Sequence, residues 1–322
     1  MTESPLQCVV DIGSSKILAL AARKIGDDLR VQAYGAGPSR GVEKGQIVDA
    51  ERAAGAVSYA LERLEKDAGQ RFTEIALTLG GSSLESAATQ GFVPIYPEGR
   101  TVRRSDVFQA VEHCRHVTMP AGREQILAMP REYRVDDARG IASPVGLPAK
   151  RLEVITLLVT SPSSHVDAIQ SIAEQLGRHL VDVVPTPLAA ALGSLSPDQM
   201  ETNGVLLDLG HGTTSIAVIR HGTVSFVAAI PVGAHHITRD IAHLLDCELA
   251  EAERVKCESG TADLLAINPE EAVMLRQKAG KQPRALKRRV LGEIISARLK
   301  ETARMAAEKV VNGGFDLNEL ST

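Results

Sequence analysis

Two short segments, one near the start of the chain and one in its second half, repeat the same pattern of an apolar run, a polar turn and another apolar run. In the first copy, residues 6–12 lead into Asp-Ile-Gly-Ser-Ser-Lys, and apolar residues resume at 17–22. In the second copy, residues 205–209 lead into Asp-Leu-Gly-His-Gly-Thr-Thr, and residues 215–220 follow. This pattern is typical of a β-hairpin. An internal repeat of a whole hairpin predicts two related lobes whose turns serve one shared site.

The residues of the two turns are suited to holding phosphate. Glycine lets several backbone N–H groups converge on one anion without side-chain interference, and hydroxyl groups add further donors. Asp11 and Asp208 precede the turns and could hold Mg²⁺ directly or through water, while Lys16 adds a positive charge. The alternative is that each segment is only a polar hairpin turn, because Asp-x-Gly is a common turn sequence. The glycine and hydroxyl residues concerned are Gly13, Ser14, Ser15, Gly210, Gly212, Thr213 and Thr214.

Composition limits the fold class and the partners. The chain has 322 residues, which predicts two or more lobes, and only 3% are aromatic, so the core must consist of aliphatic residues, as in layered α/β proteins. The formal net charge is −4, which lacks the basic excess of a nucleic-acid-binding domain. A basic stretch at 278–289 is interpreted as a solvated face, with an acidic partner or a membrane surface as the alternative. The four cysteines lack paired spacing and follow no signal peptide, which favours the cytoplasm.

The order of predicted elements divides the chain into three parts. Apolar spacing predicts a helix over residues 49–67, and strands are predicted at 74–79, 90–95 and 151–160. We predict a helix beginning at its cap Ser105, and a wholly helical region from Pro269 whose last helix ends with Gly313 as a left-handed cap. The pattern changes at Arg71 and breaks again at 196–204. The predicted domains are a first lobe (1–70 and 163–195), an insert (71–162) and a second lobe (196–322).

Several segments resemble one known family. Residues 9–17, Val-Val-Asp-Ile-Gly-Ser-Ser-Lys-Ile, resemble the first phosphate motif of the clan of actin, DnaK-type chaperones and sugar kinases, and residues 207–214 resemble the second. Within that clan, residues 38–45, Pro-Ser-Arg-Gly-Val-Glu-Lys-Gly, are similar to the Ser-Arg-Gly-hydrophobic-x-Lys-Gly stretch of the bacterial cell-division FtsA family. The pilus-assembly PilM family shares the same organisation and is the close rival. Further segments similar to the FtsA family are residues 130–136, 144–147, 236–242 and 252–256.

The resemblance implies an actin-like two-lobed α/β fold of duplicated ribonuclease-H-like units, with an inserted α+β subdomain of the 1C type. It implies ATP and Mg²⁺ as ligands, with Gly233 near the phosphates and Glu253 and Lys256 at the ribose. The alternative for that pair is an ordinary surface salt bridge. The residues that the family motifs assign to the phosphate loops are Asp11, Gly13, Ser14, Ser15 and Lys16, then Asp208, Gly210, His211, Gly212, Thr213 and Thr214.

The family resemblance also implies partners and a location. FtsA proteins assemble into filaments, tether the tubulin-like division-ring protein FtsZ to the cytoplasmic face of the inner membrane, and contact other division proteins through the inserted subdomain. No nucleic-acid partner is expected. The alternatives are a PilM-like pilus adaptor and a phosphotransferase or ATPase of the same clan.

Three departures from the clan pattern bear on function. Ser215 stands where the second loop ordinarily ends in Asp, and Thr186 stands about where the chaperones place a Glu that directs the attacking water. Ser215 removes a possible polar or metal-directed carboxylate, and without a general base at Thr186 we expect weak or negligible ATP hydrolysis. The adenosine loop and the membrane-targeting helix of the family would follow Thr322, so we expect an incomplete second lobe. Residues 310–315 superficially resemble the adenosine loop, but the sequence favours a helix stop.

Overall fold

A computed structural model describes residues 4–26, 28–115, 119–141, 143–278 and 282–320. Its strands and helices follow one another in short runs along the chain. The strands are β1 (Gln7–Ile12), β2 (Lys16–Ile25), β3 (Asp28–Pro38), β4 (Val42–Glu43), β5 (Gln46–Ile47), β6 (Glu74–Leu79), β7 (Glu85–Pro94), β8 (Arg123–Val135), β9 (Ala138–Ile141), β10 (Arg151–Pro162), β11 (His179–Pro185), β12 (Gly204–Leu209), β13 (Thr214–Arg220), β14 (Thr223–Ile230), β15 (Ala272–Leu275) and β16 (Arg284–Lys287). The helices are α1 (Ala50–Ala68), α2 (Arg104–Arg115), α3 (Ser163–Gln175), α4 (Thr186–Ser194), α5 (Pro197–Glu201), α6 (Ala234–Leu244), α7 (Leu249–Ser259) and α8 (Arg288–Asn312).

The first lobe is built on a five-stranded sheet in the order β11-β6-β1-β2-β3. β1, β2 and β3 form an antiparallel meander, while β6 pairs parallel with β1 and β11 pairs parallel with β6. Helix α1 follows the predicted spacing: Asp49 caps it by accepting a hydrogen bond from the Arg52 N–H at 3.0 Å, and Gly69 ends it in the left-handed conformation. The helix buries Val57, Leu61 and other apolar residues against the sheet.

The insert is a four-stranded antiparallel sheet in the order β7-β10-β8-β9, with α2 packed against it. Its own core includes Leu152 and Val154 from β10 and Ala110 and Cys114 from α2. The strand β6 falls within the range 71–162 predicted for the insert, yet it pairs with β1 and β11 in the first-lobe sheet. We therefore propose that the insert begins after β6, because backbone hydrogen bonds to two neighbours assign a strand to its sheet more firmly than a change in sequence pattern.

The second lobe repeats the opening meander of the first. β12, β13 and β14 form a three-stranded antiparallel sheet, and within the described ranges β12 pairs only with β13. Helices α6, α7 and α8 and the β15–β16 hairpin complete this lobe around a separate apolar cluster. The two lobes also share one core, since Ala217, Ile219, Val224 and Val227 of the second-lobe sheet belong to the same buried cluster as the first-lobe residues.

Three local predictions are wrong. The region from Pro269 is not wholly helical, because the short β15–β16 hairpin precedes α8 and buries Leu275 and Leu286 on one face. Helix α2 begins at Arg104 rather than at a Ser105 cap, and the Asp106 carboxylate accepts the Arg103 N–H at 2.7 Å. At the end of α8, Gly314 rather than Gly313 is left-handed, with φ values of 85° and −75°.

Two further observations concern surfaces. Across the residues that the structure describes, no helix has both the length and the apolar character needed to cross a membrane. In the basic stretch, Lys278 pairs with Asp246 at 2.8 Å and Arg288 pairs with Glu271 at 2.9 Å, while Lys281 lies outside the described residues.

Candidate functional site

The two predicted turns face each other across one cavity of about 190 Å³. The loop residues that line it are Asp11, Gly13, Ser14, Ser15, Lys16, Asp208, Gly210, His211, Gly212 and Thr213. Ile12, Gly45, Gly80, Thr186 and Ser215 complete its wall. The structure therefore brings together both copies of the repeated hairpin, as a shared site requires.

Loop one is positioned by a residue from the neighbouring strand. The hydroxyl of Thr78, on β6, donates to the Asp11 Oδ1 at 2.8 Å, and the same hydroxyl accepts the Ile12 N–H at 3.0 Å. Thr78 thus holds the Asp11 carboxylate at the end of β1. This residue was missed by sequence reasoning, because only the parallel pairing of β1 with β6 places it beside the turn.

Loop two is held by the first turn of α6. The Ala234 N–H donates to the Gly210 carbonyl oxygen and the His235 N–H donates to the His211 carbonyl oxygen, each at 2.9 Å. Gly233 makes this approach possible, since a Cβ at that position would lie 2.5 Å from the Gly210 oxygen. Gly233 is therefore a packing residue against loop two rather than a lining residue of the cavity.

Thr214 differs from the predicted arrangement. Its side chain is fully buried, its hydroxyl donates to the Val232 carbonyl oxygen at 2.8 Å, and it does not line the cavity. Because β13 starts at Thr214, strand alternation turns this side chain away from the turn. The hydroxyl that remains available in loop two is that of Thr213.

The electrostatics of the cavity favour a bound cation. Desolvation in the cleft, and then repulsion from Asp11, raises the pKa of Asp208. The residue is nevertheless exposed and lines the cavity. No group of three or more His, Cys, Asp or Glu side chains forms a metal cage within the described residues. Two carboxylates beside a phosphate-sized cavity nevertheless fit Mg²⁺, which retains water and takes few protein ligands. Asp11 and Asp208 would hold the ion, which would neutralise phosphate charge when bound.

A partly buried hydrogen-bond network includes Glu253 and Lys256, which therefore do not form an isolated surface pair. The Lys256 Nζ donates to the Glu253 Oε2 at 2.8 Å, to the Thr238 hydroxyl at 2.9 Å and to the Ala234 carbonyl oxygen at 3.4 Å. Burial opposes ionisation of Glu253, but hydrogen bonds from Lys256, Thr238 and Cys257 lower its pKa to about 2. The network joins α7 to the first turn of α6, and neither residue lines the cavity. Contact with a ribose stays a prediction.

A third element, absent from the predicted site, reaches the two loops. The β4–β5 hairpin turns at Lys44 and Gly45, with φ values of 49° and 72°, which is the geometry of a tight two-residue hairpin loop. The Gly45 N–H donates to the Ser14 hydroxyl at 2.8 Å. On the other side, a Cβ on Gly212 would lie 3.1 Å from the Lys44 Cα. The Lys-Gly pair in the family-like segment was the sequence signal that could have placed this turn here.

The two positions that depart from the clan pattern both belong to the site. Thr186, the first residue of α4, and Ser215, opposite Asp208 in the β12–β13 ladder, line the cavity. Neither supplies a carboxylate, so the described wall lacks the two acidic groups that the clan pattern would provide there.

Comparison with protein families now adds to this geometry. The family model described as "Cell division protein FtsA" matches residues 205–319, and the model described as "SHS2 domain inserted in FTSA" matches residues 81–160. Both models describe one family. The chain belongs to the FtsA family. It is thus a cell-division protein. The second match begins at residue 81, just after β6, which agrees with the proposed start of the insert.

Individual FtsA proteins resemble the chain along most of its length. FtsA of Borreliella burgdorferi is 28% identical over 308 residues, covering 95% of this chain and 75% of that protein. FtsA of Escherichia coli K12 is 28% identical over 311 residues, covering 96% and 74%. FtsA of Bacillus subtilis 168 is 27% identical over 315 residues, covering 98% and 72%.

Solved structures confirm the fold class. The PilM–PilN type IV pilus biogenesis complex matches with a TM-score of 0.62 at 15% identity, covering 94% of this chain and 76% of that chain. MreB5 of Spiroplasma citri bound to ADP matches with a TM-score of 0.55 at 13% identity, covering 96% and 79%. At these identities the likeness shows the fold alone, and that fold is the predicted actin-like, two-lobed α/β architecture with an insert.

Proposed function

We propose that this FtsA-family protein binds ATP with Mg²⁺ between its two phosphate loops. The observation that carries the proposal is the convergence of both repeated hairpins on one cavity, with Asp11 and Asp208 beside it. Backbone N–H groups and hydroxyls suit the phosphate oxygens, and the paired carboxylates suit the metal ion. The MreB5 structures bound to ADP and AMPPNP support the proposal, since proteins of this fold hold nucleotide.

We further propose that nucleotide acts as a structural ligand that sets lobe closure, and that the closed protein assembles into filaments. Thr186 leaves the cavity wall without a general-base carboxylate at its position, and Ser215 stands where the clan pattern has a possible metal-directed carboxylate, which together favour holding nucleotide over consuming it. A ligand that binds the closed state more tightly shifts the population toward it. In the cell, the filaments would tether the tubulin-like protein FtsZ to the cytoplasmic face of the membrane, and the insert would contact other division proteins.

Nucleotide titration by calorimetry tests the site. Wild-type protein is expected to bind ATP in the presence of Mg²⁺, and Asp11→Asn is expected to remove most of the Mg²⁺-dependent affinity. Asp198→Asn is the matched control, because Asp198 is an exposed residue of α5 outside the cavity. Equal affinities for both variants and the wild type would show that the loops are ordinary polar turns.

Sedimentation tests assembly. The protein is expected to pellet with ATP, with little phosphate release, and to be retained by immobilised FtsZ. The PilM-like adaptor has no specific observation in its favour, since its likeness to this chain carries the fold alone. Failure to bind FtsZ, together with retention by a pilus-assembly peptide, would replace the division role with the adaptor role.

A further inference from the structure

One small hairpin lies between the nucleotide cavity and the root of the insert. We call residues 42–47, the β4–β5 hairpin with its Lys44–Gly45 turn, the wedge. On the cavity side, the Gly45 N–H of the wedge donates to the Ser14 hydroxyl, and Lys44 packs closely against Gly212, as described above. On the opposite side, the turn is packed directly on backbone: a Cβ on Gly45 would lie 2.7 Å from the Gly81 nitrogen. The wedge therefore contacts both phosphate loops and the segment that leads into the insert.

The root of the insert is held to the wedge by side chains. The Gln46 Nε2 donates to the Ser83 hydroxyl at 3.4 Å, and that hydroxyl lies 3.0 Å from the His165 Nδ1. Burial, and then the charge of Arg123, lowers the pKa of His165. The neutral ring can therefore accept a hydrogen bond from the Ser83 hydroxyl. Ser83 thus joins the wedge to α3 at the point where the chain leaves the first-lobe sheet.

Arg123 then joins the two segments through which the chain enters and leaves the insert. Its guanidinium donates to the Ser83 carbonyl oxygen at 3.0 Å in the turn that enters the insert, and to the Thr160 carbonyl oxygen and hydroxyl at 3.0 and 3.1 Å on β10, which leaves it. It also pairs with Glu85 at 3.2 Å, and only 15% of its side chain is exposed. Arg123 is the first residue of β8, so one cation joins β7, β8 and β10 at their common end.

We propose that the wedge detects phosphate in the cavity and transmits its presence, through Ser83 and Arg123, to the orientation of the insert. This inference rests on the proposed nucleotide site and adds a regulatory role to it. A phosphate oxygen that accepts the Ser14 proton turns the Ser14 lone pairs toward the Gly45 N–H and strengthens that hydrogen bond. Because the Gly45 backbone lies too close to Gly81 to leave room for a side chain, and Gln46 is hydrogen-bonded to Ser83, a shift of the turn is expected to change the packing at the root of the insert.

The test is hydrogen exchange measured by mass spectrometry on the full chain, with and without Mg²⁺ and ATP. In the wild type we expect slower exchange in the two loops and also in peptides covering 81–87, 122–128 and 158–162. In the double variant Gln46→Ala, Ser83→Ala, and separately in Arg123→Lys, the loops should remain protected. Protection of the three insert peptides should fall by roughly fivefold, which is the effect of one net hydrogen bond. Lysine lacks the fork of donors that spans both strands.

Matched controls keep the result interpretable. Gln90→Ala removes a hydrogen bond of 2.8 Å to Glu153 within the insert, and Arg134→Lys alters a surface pair with Glu132 on the same strand as Arg123. Both controls should retain nucleotide protection of the insert. If the loops are protected and the insert peptides never respond in the wild type, the proposed transmission from the wedge through Ser83 and Arg123, here called the relay, is wrong and the nucleotide site stands. If the loops themselves do not respond, both proposals fail. An equal loss of nucleotide-dependent protection of the insert peptides in the control variants and in the relay variants would also contradict the relay.

Discussion

Replacing Gly233 by alanine tests how closely α6 must approach loop two. The added methyl would lie 2.5 Å from the Gly210 oxygen and 2.6 Å from the His211 oxygen, both of which are backbone atoms. Carbon and oxygen atoms in ordinary contact stand near 3.5 Å, so α6 must retreat by about 1 Å. The two hydrogen bonds from Ala234 and His235, now 2.9 Å, would then exceed hydrogen-bonding range.

The expected decrease in the free energy of unfolding follows from the loss of those two hydrogen bonds. Each contributes about 1 kcal/mol net, so Gly233→Ala should lower the free energy of unfolding by roughly 2 kcal/mol. Backbone strain adds nothing, because Gly233 has φ −149° and ψ −171°, an extended conformation that alanine adopts. Gly55→Ala is the matched control: this exposed residue lies inside α1 with no atom within 4 Å of the new Cβ. It should stabilise the protein by about 0.5–1 kcal/mol.

Urea denaturation of the wild type and the two variants measures these opposite shifts. Titration with ATP and Mg²⁺ then tests whether the displacement of loop two reaches the site, and we expect at least about tenfold weaker binding for Gly233→Ala alone. Stability within about 0.5 kcal/mol of the wild type, together with unchanged binding, would refute the argument that this glycine sets the position of loop two.

Four further predictions follow from individual contacts. Arg100→Met should destabilise the insert by about 3 kcal/mol in thermal or urea unfolding, since it leaves the Asp106 carboxylate, only 6% exposed, without its cationic partner. The hydrogen bond from Arg100 lowers the pKa of Asp106 below its usual 3.8, so this stability is present above about pH 4 and is lost as the pH falls further, which acid unfolding of the wild type checks. Lys256→Met should loosen α7 and speed its hydrogen exchange, while leaving α2 unchanged as an internal reference. Phosphate release should stay far below the roughly 10 s⁻¹ of an average enzyme because Thr186 is no base, and a rate near that value would contradict this.

Local patterns in the sequence were sufficient for the hairpins and most helices. The apolar-turn-apolar pattern depends only on neighbouring residues, so the residue order alone located both hairpin turns and helix α1. Local patterns did not predict the β15–β16 hairpin, because its strands of four residues are too short to show a clear alternation of apolar and polar residues. They also misjudged Thr214, whose direction depends on the residue at which β13 begins.

Which distant residues meet at the two turns depends on the tertiary fold. Thr78 reaches Asp11 only through the parallel pairing of β6 with β1, and the wedge reaches Ser14 only because the chain folds back over the cavity. Residue patterns were enough to predict two matching hairpins, and the resemblance of several segments to FtsA proteins was enough to predict the family. They could not show that Gly233 supports loop two or that Lys256 bonds to the first turn of α6, because such contacts depend on packing between elements that no local period encodes.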